Sequence, residues 1–318
     1  MDGIIVVNKE KGYTSHDIVA IIRKELQIKK VGHTGTLDPN ATGVLPILLG
    51  EGTKLSQYLT DHDKEYEAIL ELGTQTDTGD VEGKVINQDL NIKEFDKIKI
   101  LQVLQSCIGE MEQLPPMYSA IKVKGKKLYE YAREGKKVEI PVRKIKIYDI
   151  QLLEYSKNLI KFHVSCSKGT YIRTLCEEIA HRLGTIGYMK ELKRTKVGKF
   201  NIENSIQIEE LEKYILENSI TLEEIGIKNS QMHIISLQEF FKNKDNIYLT
   251  QKQLKPFYNG VKITINNMQH KFTQSSQNDN IVNVYYNQTW LGIAKLLKDE
   301  SIYKIKREII IKSINEIC

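Results

Sequence analysis

Apolar positions along the chain recur with two periods, and each predicts a different element. Over residues 65–72, Tyr66, Ala68, Leu70 and Leu72 share one face while glutamates occupy most of the other. Residues 159–167 set Ile160, Phe162, Val164 and Cys166 against Lys161, His163 and Ser165. A period of two predicts half-buried strands in both places. The continuous apolar run 4–7 reads as a short buried strand, and 188–200 as a strand with basic decoration. Ile18, Ile21, Ile22 and Leu26 follow the helical period behind Ser15, which is a good N-cap. Ile98, Leu101, Leu104 and Ile108 share that period. So do Ile172, Leu175, Ile179 and Leu183, in a helix that begins after Gly169 and stops at Gly184. A short helix is predicted over 126–135, ended by Gly135, and a turn-rich acidic loop over 74–83. The irregular alternation of long strands and helices argues for an α+β fold, a mixed, mainly antiparallel sheet flanked by helices, over a parallel wound sheet.

Near residues 226–232 acidic helical sequence gives way to a basic segment. Beyond it lie strand candidates at 261–265, 281–286, 290–297 and 303–306. These predict a small C-terminal β-barrel and a division into residues 1–230 and 231–318. A length of 318 residues suits about two domains. No apolar stretch approaches the roughly 18–20 residues of a membrane span, and the first residues lack the basic region and cleavage site of a signal peptide. Four cysteines, Cys107, Cys166, Cys176 and Cys318, are too few for a disulfide scaffold and show no zinc-ribbon spacing, so they read as thiols in a reducing compartment.

Charge changes the picture once it is divided. The net charge of +5 resides in residues 231–318, with 12 basic and 7 acidic side chains; the remainder is neutral. Within that neutral part, residues 122–146 carry ten basic and three acidic side chains, and 190–199 carry five basic side chains against Glu191. Basic strips interleaved with Tyr118, Tyr129 and Tyr131 can track a phosphate backbone and stack bases. Lysine-rich strips alone read more simply as solvated surface.

Among candidate chemistry, the segment VGHTGTLDPNATGVLP, residues 31–46, stands out as a glycine-shaped loop that presents Asp38 near His33, Thr34 and Thr36. From composition alone Asp38 reads first as a turn starter. In SKGTYIRTL, residues 167–175, Arg173 falls in the first turn of a helix, where the dipole disfavours a cation unless an anion is near. Asp38 is a possible partner; a surface arginine is the equal alternative. The seven histidines, His16, His33, His62, His163, His181, His233 and His270, show no metal spacing, and no phosphate-binding glycine loop or nucleophile elbow is present.

These segments carry a resemblance. KEKGYTS (9–15), GHTGTLDPNATGVLP (32–46), DKEYEA (63–68), PPMYSAIKVKGKKLYEYAREG (115–135), SKGTYIRTL (167–175) and ELKRTKVGKF (191–200) match, in order and spacing, the TruB-type tRNA pseudouridine-55 synthases. The match runs through nearly all of residues 1–200, and GHTGTLDP is highly specific. The tail resembles, more weakly, the PUA domain of bacterial members. Glu10 departs from the proline usual at that position, which implies a small change in the loop and no loss of activity.

The resemblance implies an isomerase that converts one T-loop uridine to pseudouridine by flipping it, breaking the glycosidic bond and rejoining the base through carbon 5. It implies that Asp38 is the essential carboxylate, as nucleophile or base, with Arg173 as its counter-ion. Tyr66 stacks on the target base and assists proton removal, Tyr171 and Leu192 line the pocket, and His33 stacks in the loop when the target flips. It implies no cofactor and no metal, and a cytoplasmic monomer that acts on the T-arm and elbow of tRNA without an obligatory protein partner or a membrane. Two other functions share the basic surface. One is a tRNA-binding folding chaperone; the other is a guide-RNA-dependent synthase acting on ribosomal RNA.

Overall fold

The computed structural model describes residues 2–59, 62–136, 138–218, 234–265, 280–299 and 302–311. The composition break at 226–232, His233, His270 and Cys318 lie outside them. The two alternating segments become central strands, Lys64–Leu72 and Leu159–Cys166, which bury every second residue. They pair antiparallel, with Tyr66 opposite Val164. Around them runs a ten-stranded sheet. From one edge its order is Ile234–Ser236, Gly3–Lys9, Thr42–Leu49, Gly187–Val197, Lys64–Leu72, Leu159–Cys166, Arg143–Tyr155 and Gly109–Gln113. Val31–His33 and Phe200–Asn201 pair alongside this path.

Every pairing in this sheet is antiparallel except the one between Thr42–Leu49 and Gly187–Val197. That parallel seam has only two register pairs, Lys193 with Thr42 and Arg194 with Gly43. It divides the sheet into two halves with separate cores. One half packs Tyr66, Leu70, Phe162 and Val164 against Ile172, Leu175 and Ile179 of the helix Ile172–Leu183. The other packs Val7, Leu45 and Ile47 against Ile18 and Ile22 of the helix Ser15–Glu25. Each such buried aliphatic side chain contributes about 1.5–3 kcal/mol. The mixed α+β class and the mainly antiparallel sheet are as expected.

Three local expectations need correction. The helix Ser15–Glu25 is capped by Thr14, not Ser15: Thr14 and Asp17 exchange bonds in a capping box. The helix Lys97–Ser106 buries Ile100, Val103 and Leu104, while Ile98 and Leu101 are exposed. Both faces carry apolar residues at helical spacing, and the sheet selects one. The segment 31–46 is strand at both ends, Val31–His33 and Thr42–Leu49, so only its middle is loop.

The C-terminal strands Asn246–Leu249, Ile281–Tyr286, Thr289–Asp299, Ile302–Ile310 and Ile263–Ile265 form a curled five-stranded half-barrel, consistent with a PUA-like domain. It is not separate from the large sheet. Ile4, Val6, Val44 and Leu48 on the back of that sheet share a buried cluster with Leu237, Phe241, Ile281, Ile293 and Ile309.

Candidate active site

At the parallel seam the chain must bring Gly43 against Arg194, and only glycine fits. Its φ is +105°, and a Cβ there would collide with the Arg194 carbonyl oxygen. The approach fixes Arg194, which is buried. Its Nε donates to the Val44 carbonyl at 2.8 Å and its Nη2 to the Gly35 carbonyl at 3.0 Å. The Gly35 carbonyl lies within the loop 34–41 and the Val44 carbonyl just beyond it. Two further side chains tie that loop down. Fully buried Lys9 donates from Nζ to the carbonyls of Tyr13, Glu10 and Pro39, at 2.7, 2.9 and 3.0 Å, so its ammonium is satisfied by three backbone acceptors. A proline at position 10 would offer the same carbonyl, so Glu10 keeps this bond. Burial pushes the Lys9 pKa down to about 8. Ser15, freed from capping, turns inward: its Oγ accepts from the Leu37 N–H at 2.9 Å and donates to the Leu37 carbonyl at 3.2 Å. Asp38 is the next residue, so its backbone is held from both sides.

Opposite stands Arg173, the second residue of the helix Ile172–Leu183. Its Nε lies 3.3 Å from Asp38 Oδ2, and its Nη1 lies 3.3 Å from Asp80 Oδ2. Nη2 donates to the Tyr118 carbonyl at 2.9 Å and Nη1 to the Thr78 carbonyl at 3.3 Å. A cation in a first helical turn is thus surrounded by two carboxylates and two carbonyls, which offset the unfavourable dipole. Gln113 sets the start of this helix by exchanging two bonds with the Tyr171 backbone.

The result is a hollow of about 110 Å³ lined by Asp38, Tyr66, Tyr171, Arg173 and Leu192, with Thr36 and Thr170 at its edge. It opens into a cleft of about 520 Å³ that reaches His16, Tyr118, Lys127, Tyr129 and Arg194. Five of the six residues singled out from the sequence therefore share one cavity. His33 does not line it. His33 sits half-buried at the end of its strand, with its ring against His16.

Electrostatics in the hollow are uneven. The Asp38 side chain keeps 37% of its surface exposed, because the hollow is open. The protein crowded around it still withdraws enough solvent to raise its pKa above the ordinary carboxylate value. Arg173 opposes the rise and Asp80 adds to it. Burial pushes the Tyr66 phenol up to about 12, although a hydrogen bond with Arg194 opposes this, so the phenol is neutral near pH 7. Burial likewise pulls the His33 pKa down to about 4, with His16 and Arg194 adding to the effect, which leaves a neutral imidazole. No group of three or more His, Cys, Asp or Glu side chains among the described residues is placed to share a metal ion.

The two basic strips differ. In 122–146, lysines and arginines interleave with rings as expected. Lys126 lies 5.2 Å from the Tyr131 ring centre, and Lys127 and Arg133 each lie 5.3 Å from that of Tyr129. In the strip 190–199 most of the cations are already engaged within the protein. Arg194 is buried, Lys190 pairs with Glu71 and Lys196 with Glu65, each at 2.9 Å, and Lys199 lies over Phe240. It is therefore not a free row of cations. Asp80, Arg194, Lys9 and Ser15 were not singled out from the sequence as site residues. Asp80 belonged to the acidic loop 74–83 and Arg194 to the basic strand. Only a buried-cation argument across strands could have marked either.

Known proteins resemble this chain in sequence and in fold. The family model for the TruB family pseudouridylate synthase (N terminal domain) matches residues 23–172, and that for the tRNA pseudouridylate synthase B C-terminal domain matches 173–249. A tRNA pseudouridine synthase B from Clostridium tetani is 42% identical over 299 residues, covering 94% of this chain and 97% of its own. One from Alkaliphilus oremlandii is 51% identical over 212 residues, covering 67% and 70%. Among solved structures, an H/ACA RNP bound to a substrate RNA containing 2′-deoxyuridine has a chain of the same fold, at a TM-score of 0.67 and 23% identity over 98% of this chain and 85% of its own. A Cbf5-Nop10-Gar1 complex matches with the same TM-score at 25% identity, covering 98% and 84%.

Proposed function

Because this chain belongs to the TruB family of pseudouridylate synthases and isomerises uridine to pseudouridine in tRNA, we propose that its target is the T-loop uridine at position 55 and that Asp38 carries the chemistry. The observation that supports this most is the hollow of about 110 Å³ in which Asp38, Arg173, Tyr66, Tyr171 and Leu192 converge. A uridine stacked inside a folded loop cannot enter such a hollow, so the base must be everted at a cost of a few kcal/mol. Stacking on Tyr66 offsets about 1–3 kcal/mol of that. His33, neutral and packed against the cleft residue His16, supplies the ring that takes the vacated place in the loop.

Once the uridine is seated, Asp38 acts as its ionised form, either on the ribose or as a base. The bond from N1 to C1′ breaks, a bond from C5 to C1′ forms, C5 loses its proton and N1 gains one. No atom is added, so no second reactant is needed. Arg173 orients the carboxylate and stabilises its charge. Tyr66, held neutral, serves as a stacking surface and hydrogen-bond donor, since a phenolate in this setting is costly. The strip 122–146 at the cleft rim meets the phosphate backbone of the folded T-arm. In this reading the enzyme works alone as a monomer in the cytoplasm. No helix among the described residues is long and apolar enough to cross a membrane. The net charge of +5 in residues 231–318 suits a second contact with RNA. Mapping pseudouridine in an unmodified tRNA transcript tests the target. One modified site at position 55, lost when that uridine becomes cytidine, is the expected result; modification elsewhere with position 55 untouched would refute it.

A further inference from the structure

His16, which lines the cleft, and His33 behind it differ in how they are held. His33 ends the strand Val31–His33; its Nδ1 is sealed from solvent and has no hydrogen-bond partner among the described residues. An imidazole is usually oriented by a bond from one of its nitrogens, and at Nδ1 that device is missing. A second ring stands against it instead. The His16 and His33 centroids are 5.1 Å apart with their planes at 82°, the edge-to-face arrangement that ring pairs favour. His16 is exposed and lines the same cleft as Asp38, Tyr66 and Arg194. Its own backbone is firmly placed, with the capping box of Thr14 and Asp17 before and after it and the Ser15–Leu37 bonds next to it.

We propose that His16 is a positioning residue, whose ring holds the His33 imidazole so that the two enter the RNA loop as one rigid wedge. The inference rests on the reading of His33 as the ring that fills the place of the everted uridine. A ring that must be ordered as it fills the place of the everting uridine, after the hairpin has docked, loses freedom at that step, whereas one already held does not. The service His16 renders needs an aromatic edge or face and no titrating nitrogen. A phenylalanine can therefore replace it, and an alanine cannot.

The test compares the native chain with His16→Ala and His16→Phe, using a T-arm hairpin transcript as substrate and the His33 ring resonances in the free protein as a second readout. His16→Ala should keep its thermal stability and its affinity for the hairpin. Its single-turnover rate should fall about tenfold, the scale of one lost ring pair. The His33 ring signals should broaden or double. His16→Phe should restore both the rate and the single set of signals. Unaltered His33 signals in His16→Ala, a native rate in that variant, or a His16→Phe variant as impaired as alanine would each overturn the proposal. If the native chain leaves the hairpin unmodified, that strikes the functional reading. The ring signals of the free protein still decide whether His16 positions His33.

Discussion

The site depends on opposing effects at one carboxylate. Asp38 was legible as a residue of interest from its glycine-shaped loop, and Arg173 from the anomaly of a cation in a first helical turn. Asp80 was not, because its contact with Arg173 spans 93 positions and nothing local marks it. It matters because two carboxylates share one guanidinium, and the like charge helps to hold the Asp38 pKa above its ordinary value of about 3.9. If the ionised form is the active one, the rate must fall on acidification through this raised pKa. The acid limb of the single-turnover pH profile is thus expected above the ordinary carboxylate range. In Asp80→Asn the like charge is gone, so the Asp38 pKa drops and the limb moves to lower pH. A limb that stays in place or moves upward in that variant would show that Asp80 does not act on Asp38 in this way.

At the level of elements, the loop around Asp38 is shaped less by its own turn chemistry than by what holds it. Strand alternation at 65–72 and 159–167 was legible because each strand has one buried face. The inward turn of Ser15 was not, because a serine before an apolar helix reads as a cap, and Thr14 fills that role. Nor was the buried face of Lys97–Ser106, where two sets of apolar positions obey one period. Ser15→Ala tests the tether. It leaves the helix cap intact but strips both Leu37 backbone groups of a buried partner. Loss of buried partners of this kind costs about 1–3 kcal/mol. Denaturant unfolding should show that loss, with turnover reduced alongside it. A variant as stable and active as the native chain would mean that the loop is held elsewhere.

For the molecule as a whole, the compositional break between residues 1–230 and 231–318 is not a break in packing. The charge split and the strand candidates of the tail were legible. The shared core was not, since Ile4, Val6, Val44 and Leu48 look like ordinary strand residues and their partners lie some 190–300 positions away. Burial of four such side chains is worth about 1.5–3 kcal/mol each, a sum comparable with the 5–15 kcal/mol that typically holds a fold together. Deleting residues 234–318 should therefore destabilise the remainder. Circular dichroism on residues 1–233 is expected to show either no cooperative transition or a Tm more than about 10 °C below that of the full chain. An unchanged Tm would show that the tail is an independent appendage. The contribution of the tail to tRNA binding is better read from surface substitutions, which leave that core in place.

The most direct test of the central claim is single-turnover pseudouridine formation on a T-arm hairpin by the native chain and by Asp38→Asn, with hairpin affinity measured for both. The amide is close to isosteric but can neither attack nor take a proton. The account predicts that the variant binds the hairpin about as well as the native chain and forms no pseudouridine over many native half-lives. Turnover by Asp38→Asn within about tenfold of the native rate, a loss of only 1.4 kcal/mol in barrier terms, would contradict it.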